Sequence, residues 1–186
     1  MASRARRPLN SLRPDERAAL LPLLRAMNPS HPAWKTRPLP LDIARATLAS
    51  IERKDLAGFA ALDEALVSLG VDLSEENLDF GSISHLCGNC ALHLAIASGA
   101  DAIAGRILER GGDANHGAGG SDGLRPLHVA VLADNPAMIH ALLRHGADPD
   151  APDARGRSSR ALAETVAWKR GLRSGHAILN GKAAGD

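Results

Sequence analysis

At 186 residues the chain is long enough for one domain with a real core, and with two Phe, two Trp and no Tyr that core must be built from Ala, Leu, Ile and Val. Two cysteines are too few for a disulfide scaffold, and no apolar run reaches membrane-spanning length, so a soluble protein without a membrane segment is expected. The formal net charge of +1 conceals a division: residues 1–54 hold 11 Lys/Arg against 4 Asp/Glu, residues 55–153 hold 4 against 15, and residues 154–186 hold 7 against 2. An acidic middle between basic ends steers basic partners to the middle and anionic ones to the ends.

Residues 1–13 lack periodicity and are expected to be disordered, and the basic start Arg4-Ala5-Arg6-Arg7 is not followed by the apolar stretch of a secretory signal. Pro14-Asp15-Glu16 predicts a helix start leading into Leu20, Leu21, Leu24 and Met27, with Pro22 kinking or shortening it. Asn28-Pro29-Ser30-His31-Pro32 breaks that helix and Pro38-Leu39-Pro40 keeps the connection extended, so residues 14–40 read as a helix and a Pro-rich connection. The stripe Leu41, Ala44, Leu48, Ile51 then predicts a helix, and Phe59, Leu62, Leu66, Leu69 its partner, ending at Gly70-Val71-Asp72-Leu73.

Next comes a stretch that occurs twice. Gly88-Asn89-Cys90-Ala91-Leu92-His93-Leu94-Ala95 opens a block closing at Gly111-Gly112-Asp113-Ala114-Asn115; Gly123-Leu124-Arg125-Pro126-Leu127-His128-Val129-Ala130 opens one closing at Gly146-Ala147-Asp148-Pro149-Asp150. Pro126 suits a first helical position, where its missing N–H costs nothing. Gly99 can end that first short helix in the left-handed conformation, and Asp134-Asn135 stands there in the second copy. A further stripe follows in each, Ile103, Ile107, Leu108 and Met138, Ile139, Leu142, Leu143, at helical spacing. The unit is helix, turn, helix, loop, and its recurrence marks a solenoid.

Gly-x-x-x-Leu-His-x-Ala followed by a two-leucine helix and Gly-x-Asp-x-Asn/Asp resembles the ankyrin repeat. The resemblance implies an all-α solenoid of three to four stacked repeats over residues 41–180: a degenerate repeat at 41–73, regular ones at 88–115 and 123–150, and a divergent cap at 156–180 in which Trp168, Leu172, Ile178 and Leu179 complete the packing. Residues 181–186 are expected to be a disordered tail. The connection from Gly70 to Gly88 is long, and residues 74–84 either fold back over the first repeat or serve a function.

Catalytic motifs are missing: there is no Gly-x-Ser-x-Gly, no phosphate-binding Gly-x-x-x-x-Gly-Lys and no His-Glu-x-x-His, so no enzyme, cofactor or metal is expected. His85, Cys87, Cys90 and His93 could in principle hold zinc or do thiol chemistry, which makes a redox or metal-responsive switch at Cys87/Cys90 the competing reading. Their spacing matches no common zinc site, and the repeat gives Cys90 and His93 structural places. The resemblance implies instead a protein-protein interaction module, an adaptor, effector or regulatory protein. Its binding surface, finger tips and the exposed side of each first helix, falls on Leu86, Cys87, Asn89, Ala97, Ser98 and Arg110, on Ser121, Asp122, Leu124, Leu132, Ala133 and His145, and on Arg155 and Arg157. The partner is expected to be a protein, basic or amphipathic; neither nucleic acid nor membrane is expected, and the chain itself is expected to be a monomer. Eighteen Arg against four Lys suits a bacterial coding sequence, and the expected location is cytoplasmic, with delivery into a host cell as an effector as the variant.

Overall fold

The computed structural model describes residues 11–27, 40–71, 91–117, 122–170 and 174–180. Helix α1 (Pro14–Ala19) and helix α2 (Leu21–Met27) are separated by a turn at Leu20. Pro22 sits at the second position of α2, where an amide donor would have no partner in any case. Leu20 and Leu24 are buried, and α2 packs across both α3 and α4. The expectation of disorder up to residue 13 is corrected at Leu12, which at 3% exposure belongs to the core.

Four helix pairs follow: α3 (Pro40–Glu52) with α4 (Leu56–Ser68), α5 (Ala91–Ala97) with α6 (Asp101–Glu109), α7 (Pro126–Leu132) with α8 (Pro136–Arg144), and α9 (Ser159–Arg170) with α10 (Ser174–Leu179). The first helices stack as an inner row, α3 on α5 on α7 on α9, and the second helices as an outer row, α4 on α6 on α8 on α10. Leu92, Ile96, Ile103 and Ile107 in one pair and Leu127, Val131, Ile139 and Leu142 in the next fill the space between rows. Each such side chain contributes about 1.5–3 kcal/mol when fully buried.

What makes the pairs equivalent is how each helix ends. Every inner helix of the first three pairs closes with two backbone bonds: Lys54 N–H to Ile51 C=O and Asp55 N–H to Ser50 C=O, then Gly99 to Ile96 and Ala100 to Ala95, then Asp134 to Val131 and Asn135 to Ala130. The outer helices repeat this at Gly70 and Val71, at Gly111 and Gly112, and at Gly146 and Ala147, which bond back to Val67 and Leu66, Leu108 and Ile107, and Leu143 and Leu142. All six are Schellman endings, whose pivot residue must be left-handed. Glycine meets that need at Gly70, Gly99, Gly111 and Gly146, with φ between 65° and 91°; Lys54 and Asp134 adopt φ of 55° and 48° despite their Cβ atoms. The pair α3/α4, whose sequence lacks the Leu-His signature, therefore turns its chain as the regular pairs do.

Polar bonds join neighbouring pairs. Asp63 on α4 is buried and accepts from Arg106 Nε at 3.0 Å and Arg110 Nε at 3.1 Å, while Arg106 also reaches Glu64 at 2.9 Å. Asn135 caps α8 and donates to Asp101 at the start of α6 at 2.8 Å. The Asn115 amide spans to the following loop, donating to Gly146 C=O and accepting from Asp148 N–H, both at 2.8 Å.

The fourth pair differs in chemistry from the third. Leu127, His128 and Val131, which α7 buries, correspond at the same offsets from the helix start to Arg160, Ala161 and Glu164 on α9, of which Ala161 and Glu164 are exposed. Arg160 grips Asp150 through two bonds of 2.8 and 3.1 Å and also donates to Leu179 C=O at the end of α10. Leu179 is buried as expected, whereas Trp168 is 90% exposed and contributes nothing to that packing.

Candidate functional site: the inner row and the fingers

A residue on a first helix can serve a partner only if the stack leaves it outward. On α5 and α7 the buried positions are Ala91, Leu92, His93, Ala95, Ile96 and Pro126, Leu127, His128, Ala130, Val131. Ala97, Leu132 and Ala133 are exposed, Leu132 at 36%, and Ser98 is half-buried. Since α5 packs on α7 and the copies lie 35 residues apart, Ala97 beside Leu132 and Ser98 beside Ala133 form a two-by-two patch. One turn back, Leu94 and Val129 lie half-buried against the core and extend it. These two were absent from the expected surface, although their spacing of three residues from Ala97 and Leu132 was a signal for them.

The fingers are held by hydrogen bonds from the helices beneath. The His93 imidazole Nε2 lies 2.8 Å from Leu124 C=O, and that of His128 lies 2.8 Å from Arg157 C=O, so each inner helix supports the finger of the next repeat. Arg125 N–H donates to His128 Nδ1 at 3.3 Å, which makes His128 a neutral ring with its proton on Nε2. Burial lowers the pKa of His93 to about 4, against the raising effect of the Leu124 carbonyl, and lowers that of His128 as well. Positive charge on either ring is thus disfavoured by the fold.

The next finger is built around a buried carboxylate. Asp153 Oδ1 accepts from the N–H groups of Arg155 and Arg157 at 2.8 and 2.9 Å, and Oδ2 takes the Arg157 guanidinium. A bridge joins Pro152 to Ser158 across the same turn, and Arg125 Nε donates to Pro152 C=O at 3.0 Å. Adjacent fingers touch: Ala154 N–H donates to Asp122 C=O at 3.0 Å, Arg155 pairs with Asp122, and a Cβ on Gly123 would come within 2.7 Å of that of Ala154.

Of the expected surface, Ala97, Ser98, Leu132 and Ala133 are therefore brought together on the inner row, and Asp122, Leu124, Arg155 and Arg157 on adjoining fingers. Arg110 and His145 lie elsewhere, at the C-terminal ends of outer helices α6 and α8, and the Arg110 guanidinium is engaged with Asp63. Leu86, Cys87, Asn89, Ser121 and also Cys90 lie outside the described residues, as does the segment 74–84. Among the described residues no cluster of three His, Cys, Asp or Glu is placed to hold a metal, and no helix is long and apolar enough to cross a membrane.

A family model describing three ankyrin repeats matches residues 57–153, more than half of the chain. The chain belongs to the ankyrin-repeat family. The match begins in α4 and so takes in part of the degenerate repeat as well as both regular ones. Human BCL-6 corepressor-like protein 1 is 39% identical over 99 residues, 53% of this chain and 5% of that protein. Rice potassium channel AKT3 is 45% identical over 71 residues, 38% of this chain and 8% of the channel, and a Caenorhabditis elegans homolog of ankyrin repeat and LEM domain-containing protein 1 is 40% identical over 74 residues, 39% of this chain and 10% of that protein. The chain thus spans a tenth or less of these relatives. Ankyrin repeats are generally protein-protein interaction modules, and the family is typically non-enzymatic.

Proposed function

We propose that this ankyrin array is a non-enzymatic adaptor or regulatory module that binds a protein across the inner row and the fingers beside it. The observation that carries the reading is Leu132, a 36% exposed leucine standing beside exposed Ala97 and Ala133 and extended by Leu94 and Val129. An apolar centre edged by the polar finger residues Asp122, Arg155 and Arg157 is the usual anatomy of a protein interface. The partner is basic or amphipathic, since residues 55–153 carry 4 Lys/Arg against 15 Asp/Glu. Affinity capture with the full chain, run beside an Ala97→Arg/Ala133→Arg variant, tests it. Proteins enriched by the parent and lost from the variant support the reading, and identical captured sets from two equally helical proteins refute it.

A further inference from the structure

Among the described residues, large apolar side chains stand exposed at three places, Leu56 at 41%, Leu132 at 36% and Trp168 at 90%. Leu132 and Trp168 stand on inner-row helices, α7 and α9, and Leu56 stands on outer helix α4. Trp168 is an exposed projection, and Leu56 edges a depression. Leu56 edges an open groove of roughly 600 Å³ between outer helices α4 and α6, lined also by Ala57, Ala60, Ala102, Gly105, Glu109 and Arg106, the last engaged with Asp63 and Glu64. A Cβ built on Gly105 would meet nothing within 4 Å, so the groove is open there. The position 35 residues on, in α8, is His140, which makes the opening a property of Gly105 and not of the repeat.

Trp168 is the matching knob. An indole can bury about 150–250 Å² and tryptophan is over-represented among residues that dominate interface energies, so one standing free at the end of an array is an anchor without its socket. Trp168 cannot fill the groove of its own chain, because α9 packs on α7 and α10, three pairs along from α4 and two from α6. Charge adds direction. The segment 154–186 that carries Trp168 holds 7 Lys/Arg against 2 Asp/Glu, including Lys169 and Arg170 immediately after it, whereas residues 55–153 that carry the groove hold 4 against 15.

We infer that the occupant of the groove is a second copy of this chain, with Trp168 of one protomer seated between α4 and α6 of the next. Knob and groove lie on different elements, so the contact is head-to-tail, and each protomer keeps one free knob and one free groove. Association is therefore open-ended, grows with concentration and weakens with salt. The contact uses Trp168 and the outer groove and none of Ala97, Leu132 and Ala133, so its test does not depend on the proposed protein partner.

Sedimentation velocity on the full chain and on two variants tests it. Trp168→Ala removes the knob and keeps the groove; Gly105→Leu fills the groove and keeps the knob, at a helical site where a side chain meets no neighbour. The parent is expected to sediment at masses rising above 19.4 kDa as concentration increases from about 5 to 300 µM in low salt, and to return towards that mass in 0.5 M NaCl. Each variant alone is expected to stay at the single-chain mass, and an equimolar mixture to yield a species of twice that mass, because one free knob then meets one free groove. A parent that remains monomeric throughout overturns the inference. So does association of either variant alone at the parent's level, or a mixture that stays monomeric while the parent associates. Circular dichroism on both variants confirms that they are folded.

Discussion

Acidification offers the sharpest test of how the fingers are held. His93 is buried, its Nε2 is bonded to Leu124 C=O, and its ring meets that of His116 edge-on at 6.0 Å, so a second proton would bring charge into a desolvated site beside other imidazoles. Burial holds its pKa in the fold at about 4, against the ordinary histidine value of 6.5. A histidine with a lowered folded pKa binds more protons when unfolded. Its contribution to stability is then complete above pH 6.5, falls as the pH drops, and is exhausted near pH 4. At about 1.36 kcal/mol per pKa unit, the loss between pH 7.5 and 4.5 amounts to about 2–3 kcal/mol from this residue. His128, also lowered by burial, adds in the same direction. The carboxylates act in a different window: Asp150 is held low by its bonds from Arg160, and Asp153, though burial pushes it up, is held low overall by donors from Arg157 and Arg155. Their contribution is lost as the pH falls below about 4, through their depressed pKa values. Urea unfolding followed by far-UV dichroism at half-unit steps from pH 7.5 to 4.5 measures the histidine window alone. The parent should lose stability steadily below pH 6.5, and His93→Gln, already destabilised at pH 7.5, should show a much shallower slope. A flat profile for the parent, or an unchanged slope in the variant, would refute the assignment of a buried neutral imidazole at this position.

Three further changes probe the frame. Leu127→Ala empties a site that is 1% exposed between stacked pairs and should cost about 2–5 kcal/mol in denaturant unfolding. Asp63→Ala removes the acceptor shared by Arg106 and Arg110 and should cost about 2 kcal/mol, less than a fully buried ion pair because both arginines remain partly solvated; a double-mutant cycle with Arg106→Ala should show the coupling. Asp134→Gly relieves a left-handed backbone at φ 48° and deletes Asp134 Oδ1, a buried oxygen with no hydrogen-bond partner among the described residues, so it should raise stability by about 1 kcal/mol, seen as a higher melting temperature.

The family was legible because its most demanding positions are chemically unambiguous. Gly99, Gly111 and Gly146 stand where a Schellman ending needs a left-handed residue, and Leu92-His93 and Leu127-His128 stand where an inner helix must bury one face and reach the next finger. The equivalent turn at Lys54 was hidden for the same reason: lysine is a poor left-handed residue, and the conformation there is imposed by the packing of α3 on α4 and not announced by residue type. Matches to the repeat pattern picked out Ala97, Leu132 and Ala133, which are exposed, and Ser98, which is half-buried, because exposure on a short helix follows from which residues its neighbours cover. They misplaced Arg110 and His145, whose environment is set by the outer row, and gave no warning that Arg110 is drawn to Asp63 across 47 positions of sequence. The helical stripe also admitted Trp168 to the core. Periodicity says which side a residue lies on, but only the stack decides whether anything is there to cover it.

The most direct test of the binding surface is the affinity of the identified partner for Leu132→Arg, measured by titration calorimetry with far-UV dichroism on the same samples. A long cation in the apolar centre of the inner row should weaken binding at least about thirtyfold, the equivalent of about 2 kcal/mol at a hot spot, while helicity and melting temperature hardly change. Parent-like affinity in a normally folded Leu132→Arg protein would contradict the assignment of the partner to the inner row.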